Sequence, residues 1–149
     1  MNRILIATDG SEGAQAAVRE GVALAAEVGA EVIFVTVRSR IYMLGDPWYQ
    51  AQLTRQLAEA RAALDSAERI AEEHGVLHDS EILEGDAAAT IAAVAKLRQA
   101  DLIVVGSRGY GPLTSAAIGS VSRSLLSRTR MPVMIVCDRT VARNGADAR

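Results

Sequence analysis

Short apolar runs alternate along this chain with longer stretches in which apolar residues recur every three or four positions. Ile4-Leu5-Ile6-Ala7-Thr8 is one such run, and it stops at Asp9-Gly10-Ser11, a turn followed by helix-forming sequence. The Ser11 hydroxyl can accept from a free first-turn amide, which predicts an N-cap there. Ala17, Val18, Val22, Ala25 and Val28 then mark a helical stripe, and Gly29 is placed to close it in the left-handed conformation. Val32 to Val37 is apolar at nearly every position, as a central strand covered on both faces would be. Arg38 to Tyr49 follows neither period. Leu53, Leu57, Ala60, Leu64, Ala67 and Ala71 predict one face of a long helix that ends near Gly75. A more polar strand, from about His78 to Glu84, reads as a sheet edge. Gly85-Asp86 turns the chain into a helix carrying Ile91, Val94 and Leu97. Leu102 to Val105 is a fourth strand and runs into Gly106. A helix is predicted from about Gly119 to Arg128, and Pro132 opens a last strand, Val133 to Cys137.

Strands alternating with helices imply parallel crossovers, hence an α/β doubly wound sheet with helices on both faces. One domain is predicted over residues 1–137, with a polar, aperiodic tail at 138–149. A chain of 149 residues, 50% hydrophobic, has a sizeable core available. A net charge of −2 and 3% aromatic residues argue against nucleic acid or an acidic membrane as partner. Cys137 is the only cysteine, which excludes an internal disulfide and suits a reducing compartment; it is expected to pack within the last strand. No apolar run approaches the ~20 residues that span a bilayer, and the first residues enter a strand without a signal-peptide pattern. A soluble, cytoplasmic protein is expected.

The segment with chemical content runs from Val105-Gly106-Ser107-Arg108-Gly109-Tyr110-Gly111 to Ile118-Gly119-Ser120-Val121-Ser122. Gly106 and Gly109 follow a strand, where a missing side chain lets the backbone approach a ligand closely. Gly119 and Ser120 stand where the next helix begins. Open amides there, the positive end of the helix dipole and two hydroxyls, Ser120 and Ser122, can seat a phosphate. A glycine-rich link of this kind can equally be a tight turn. It is neither a Walker loop nor a dinucleotide fingerprint. Lys96 is the only lysine, so a lysine-dependent phosphate site has almost no candidate.

With these motifs the chain resembles the universal stress protein family, from about Arg3 to Cys137. The resemblance rests on Ile4-Leu5-Ile6-Ala7-Thr8-Asp9-Gly10-Ser11, the Gly85-Asp86 turn, the run from Ala100 to Gly109, Gly119-Ser120-Val121-Ser122, and Met131-Pro132-Val133. The glycine spacing is similar to that of the family's ATP-binding branch. Ala87 stands where the family often has proline, and the segment after Val37 departs from its pattern. The resemblance implies a five-stranded sheet in the order 3-2-1-4-5 and a site beyond the carboxyl ends of strands one and four. It places Asp9 at the nucleotide and Val37 backbone groups at the adenine edge. Gly106, Arg108 and Gly109 would hold the ribose and near phosphates. Gly119, Ser120, Val121 and Ser122 would hold the outer phosphates of ATP, with a magnesium ion bridging their oxygens.

The function expected is a nucleotide-dependent regulatory or signalling module, with slow ATP hydrolysis, or sensing of AMP or cyclic AMP at the same site, as alternatives. Neither glutamine, histidine nor lysine stands in the loop to position an attacking water. A phosphorylated receiver domain fails, because Asp9 is followed by Gly10, Glu84-Gly85 closes strand three and Cys137-Asp138-Arg139 lacks a lysine. Asp9 could instead serve turn amides, Ser120 and Ser122 could be simple caps, and Arg108 could be solvated. Tyr42 and Trp48 are expected to pack on a helix or at a subunit contact rather than to cover the nucleotide. His74 and His78 have no carboxylate partner at a fixed spacing for a metal. Val133-Met134-Ile135-Val136 is apolar without alternation, and a bare apolar edge invites pairing, so a homodimer through this strand is expected.

Overall fold

The computed structural model describes residues 1–42, 47–107 and 118–138. Arg108 and Gly109, and the tail from residue 139, lie outside the described residues. The chain runs β1 (Arg3–Ala7), α1 (Glu12–Val28), β2 (Glu31–Arg38), α2 (Pro47–Glu73), β3 (His78–Glu84), α3 (Ala87–Leu97), β4 (Leu102–Gly106), α4 (Ser120–Arg128) and β5 (Val133–Val136). The strands form one parallel sheet in the order β3-β2-β1-β4-β5. Register aligns Leu5 with Ile33 on one side and with Ile103 on the other.

Continuous apolar strands arise because both faces of the sheet are covered. Ile4, Ile6, Val32, Phe34 and Val104 pack with Val18 and Val22 of α1 and Leu64 and Ala67 of α2. The residues between them in sequence, Leu5, Ile33, Val35, Ile103 and Val105, pack with Ile91 and Val94 of α3 and Leu125 of α4. Each of the valine, leucine, isoleucine and phenylalanine side chains among them contributes about 1.5–3 kcal/mol when fully buried. The right-handed crossover rule explains the split: moves toward β3 put α1 and α2 on one face, and the return to β4 and β5 puts α3 and α4 on the other.

Local signals act as their chemistry dictates. The Ala14 amide donates to Ser11 Oγ at 3.3 Å, capping α1, and Gly29 closes that helix at φ 71°. Asp86 caps α3 through the Ala89 amide at 2.9 Å. Four expectations are corrected. Pro47, Trp48 and Tyr49 belong to α2 rather than to an irregular segment, because proline fits the first helical position, where its missing amide hydrogen is not needed. Leu57 is 40% exposed and off the buried stripe, which runs through Ala60, Ala63, Leu64, Ala67 and Ala71. Leu97 ends α3 in solvent, 79% exposed. Cys137 lies past the end of β5 and is exposed. Tyr42 and Trp48 are exposed as well.

The two sheet edges differ. β3 carries ions along its edge: Asp79 and Glu81 both pair with Arg98, and Ser80 donates to Glu68. β5 offers half-buried Val133, Met134 and Ile135. α2 also outgrows the sheet. Its 27 residues extend about 40 Å, against about 26 Å for the eight residues of β2. Every fully buried α2 residue lies at or after Ala60, and α2 starts from the carboxyl end of β2. Its first half therefore overhangs the carboxyl ends of the strands. No helix among the described residues is long and apolar enough to cross a membrane.

Candidate functional site

At the carboxyl end of β1 the chain is held by four bonds. The Thr8 amide donates to the Val35 carbonyl at 3.0 Å, and Thr36 Oγ1 donates to the Thr8 carbonyl at 2.8 Å. The Gly10 amide donates to Thr8 Oγ1 at 3.2 Å and the Ser11 amide to Asp9 Oδ1 at 2.9 Å. Asp9 thus braces its own turn with one oxygen while its side chain stays exposed.

Val37 continues β2 past this point. Alternate residues of a strand aim their backbone groups to opposite sides. Val35 serves Thr8 on the β1 side, and Arg38 accepts from the Gly85 amide at 3.0 Å on the β3 side. Val37 shares the parity of Val35, so its amide and carbonyl face over the end of β1. Its side chain packs under the sheet with Leu83.

Gly106 ends β4 against α1. A Cβ on it would lie 2.6 Å from the Gly13 carbonyl oxygen and 2.7 Å from its carbon. The residue must be glycine for the first turn of α1 to approach the strand, a reason independent of any ligand. Ser122 Oγ, almost fully buried, donates to the Gly106 carbonyl at 2.9 Å, and the Gly119 amide donates to the Ser107 carbonyl. These bonds hold the start of α4 against the end of β4, beside the start of α1.

The two helix starts are not equivalent. Ser11 caps α1, whereas among the described residues no side chain caps α4 at Gly119. The first intrahelical bond of α4 runs from the Arg123 amide to the Gly119 carbonyl at 3.0 Å, which leaves the amides of Ser120, Val121 and Ser122 without intrahelical partners. Ser120 is exposed and Val121 is 37% exposed.

On the α1–α2 face a cleft of about 280 Å³ opens beside Asp9, lined by Thr8, Gly10 and Gln15 and by Glu59, Ala63 and Ser66 of α2. The α2 contribution was missed from sequence. Small residues at 62, 63 and 67 beside polar 59 and 66 are the signal, since short side chains leave the space between the two helices unfilled. Displaced titrations lie elsewhere. Hydrogen bonding from Arg98 and the Ser80 amide holds Asp79 below its usual value. The Asn2 and Arg3 amides, at 2.7 and 3.0 Å, do the same for Asp101.

A doubly wound sheet whose first and fourth strands diverge into helices on opposite faces defines a class of ligand-binding α/β proteins, with the crevice at that switch point. Residues 1–136 match the universal stress protein family, and the chain belongs to it. A universal stress protein of Methanocaldococcus jannaschii is 34% identical over 140 residues, covering 90% of this chain and 81% of that one. A family member of known structure from Burkholderia pseudomallei is 29% identical with a TM-score of 0.75, covering 91% of this chain and 95% of that one. More distant structures share the fold and hold nucleotides of their own. One universal stress protein is in complex with cAMP, at 23% identity, a TM-score of 0.72 and coverage of 91% and 96%. An Arabidopsis thaliana protein has AMP bound, at 20%, 0.70 and coverage of 92% for both chains. An Archaeoglobus fulgidus protein is in complex with dAMP, at 22%, 0.68 and coverage of 91% and 97%.

Proposed function

We propose that this chain binds an adenine nucleotide, ATP with magnesium, at the carboxyl ends of β1, β2 and β4, and works as a nucleotide-dependent regulatory module in stress response. The observation that carries the reading is the uncapped start of α4, clamped by Ser122 and Gly119 over the end of β4. Amides without intrahelical partners and a positive helix end are the chemistry a phosphate requires. Distant members of the fold that hold cAMP, AMP and dAMP support an adenine nucleotide there.

The residues take distinct parts. The amides of Ser120 and Val121 and the Ser120 hydroxyl meet the outer phosphates, and magnesium neutralises the phosphate oxygens. Gly119 and Ser122 position the helix start, since the Ser122 hydroxyl is engaged with Gly106. Val37 offers its backbone to the base, the exposed Asp9 lies at the nucleotide, and Arg108 and Gly109 are assigned to the ribose and near phosphates. The apolar β5 edge pairs with a second copy of the chain, and the homodimer works in the cytoplasm. Light scattering at micromolar concentration reads the mass, and a monomer there removes the dimer.

Thermal-shift titration of nucleotide-free protein with ATP, AMP, cyclic AMP and GTP, with and without magnesium, tests the site. At a hundredfold excess over Kd, binding adds about 2.7 kcal/mol, a rise of roughly 5–10 °C for a domain of this size. A shift largest for ATP with magnesium is expected. A larger response to AMP or cyclic AMP keeps the site and changes the ligand, and no response to any nucleotide overturns the reading.

A further inference from the structure

The two ladders of β2 end at different places. Its pairing with β1 stops at Ala7 opposite Val35, while its pairing with β3 runs on to Arg38 opposite Glu84. In a parallel ladder alternate residues of a strand serve opposite neighbours. Thr36 and Arg38 turn their backbone groups to β3, where the Arg38 carbonyl accepts from the Gly85 amide at 3.0 Å. Val37, held between them, turns its own toward β1. At the register of Ala7 and Val35, the Val37 amide would next donate to the Thr8 carbonyl, and the Val37 carbonyl would accept from the Gly10 amide. Among the described residues neither bond is made.

Two threonine hydroxyls stand in for Val37. Thr36 Oγ1 donates to the Thr8 carbonyl at 2.8 Å, and the Gly10 amide donates to Thr8 Oγ1 at 3.2 Å. Thr36 is the polar member of the otherwise apolar buried run from Val32 to Thr36, and Thr8 is buried with it. Buried carbonyls are almost always paired, so the Thr8 oxygen needs a donor, and Thr36 supplies it. We infer, on the nucleotide-binding reading above, that Thr36 is a positioning residue of the site: its hydroxyl takes the Thr8 carbonyl in place of the Val37 amide, and so keeps that amide open to the ligand. The ligand then meets a donor and an acceptor already held in line by β3, with no bond of the sheet to break. Valine in place of Thr36 keeps the shape and removes the donor. The Thr8 carbonyl then draws in the Val37 amide, the ladder lengthens by one bond, and the ligand has to break that bond to enter.

Amide hydrogen exchange, read by NMR on nucleotide-free protein, tests the part of the hydroxyl, and calorimetric titration with ATP and magnesium tests its consequence. In the parent the Val37 amide should exchange about tenfold or more faster than the Val35 amide, which lies inside the ladder, and ATP should slow it. In Thr36→Val the Val37 amide should exchange about tenfold more slowly than in the parent, and ATP affinity should fall about 5- to 10-fold. Thr36→Ser restores the hydroxyl and should return both to within about twofold of the parent. A parent Val37 amide as protected as that of Val35, unchanged exchange or unchanged affinity in Thr36→Val, or a serine variant that behaves as the valine one overturns the inference and leaves nucleotide binding standing. The parent arm carries the test if the valine variant does not fold. A parent that binds no nucleotide removes the nucleotide reading and the inference with it.

Discussion

Substituting Ser120 by aspartate sets the free protein and the bound complex against each other. Ser120 is the exposed first residue of α4, and Gly119 before it gives no side-chain cap. A carboxylate there faces the positive end of the helix dipole, which stabilises by about 0.3–1 kcal/mol. For a chain of this length that raises Tm by roughly 1–4 °C. The same charge stands about 5 Å from a phosphate seated on the helix start. One pair of like charges at that distance costs about 1 kcal/mol at a water-like dielectric and about 3 kcal/mol at an effective value near 20. ATP affinity should then fall by roughly 5- to 150-fold while the free protein melts higher. Calorimetric titration and a thermal melt on one preparation read both numbers. Affinity within twofold of the parent, in a variant that melts higher, would show that the phosphates do not sit on α4. A lower Tm would show that the helix start is not open, and the site would lose its foundation.

Gly106→Ala puts a methyl 2.6 Å from the Gly13 carbonyl oxygen, so α1 or β4 must shift, and a loss of about 1–3 kcal/mol is expected in urea denaturation; an unchanged midpoint would mean that the strand and helix do not meet this closely. Ser11→Ala removes the cap of α1 at Ala14 and should cost about 1 kcal/mol by the same assay, with no cost refuting the cap. Asp79 is lowered from its ordinary 3.8, chiefly by hydrogen bonding from Arg98, so its contribution is complete above that value and fades as pH falls through the lower folded value. Denaturation midpoints between about pH 4 and about pH 2.5 should therefore fall less steeply in Arg98→Met than in the parent, and parallel slopes would count against the pairing.

The fold was legible because its signals are local and agree with one another. A glycine at residue 29, a cap at Ser11, the Gly85-Asp86 turn and unbroken apolar runs in β2 and β4 all specify the same alternation. Leu57 and Leu97 misled because a helical stripe in sequence does not say where the sheet beneath it stops. α2 outruns the strands, so periodicity persists past the last buried turn. Gly106 was visible as a glycine, but its contact with Gly13 joins residues 93 positions apart and has no local trace. The sharing of work between Ser120 and Ser122 was equally hidden, since burial of one hydroxyl and exposure of the other depends on which face of α4 meets β4.

The unlike edges of the sheet set a limit on growth. A sheet that can accept a strand at either end can be extended indefinitely, the route by which β proteins become fibres. Here β3 is closed to newcomers by Asp79 and Glu81 with their arginine, and by Glu68 beside Ser80. Among the described residues that leaves β5 as the apolar edge. In the proposed homodimer that edge is consumed, and the two copies turn their ion-paired β3 borders outward.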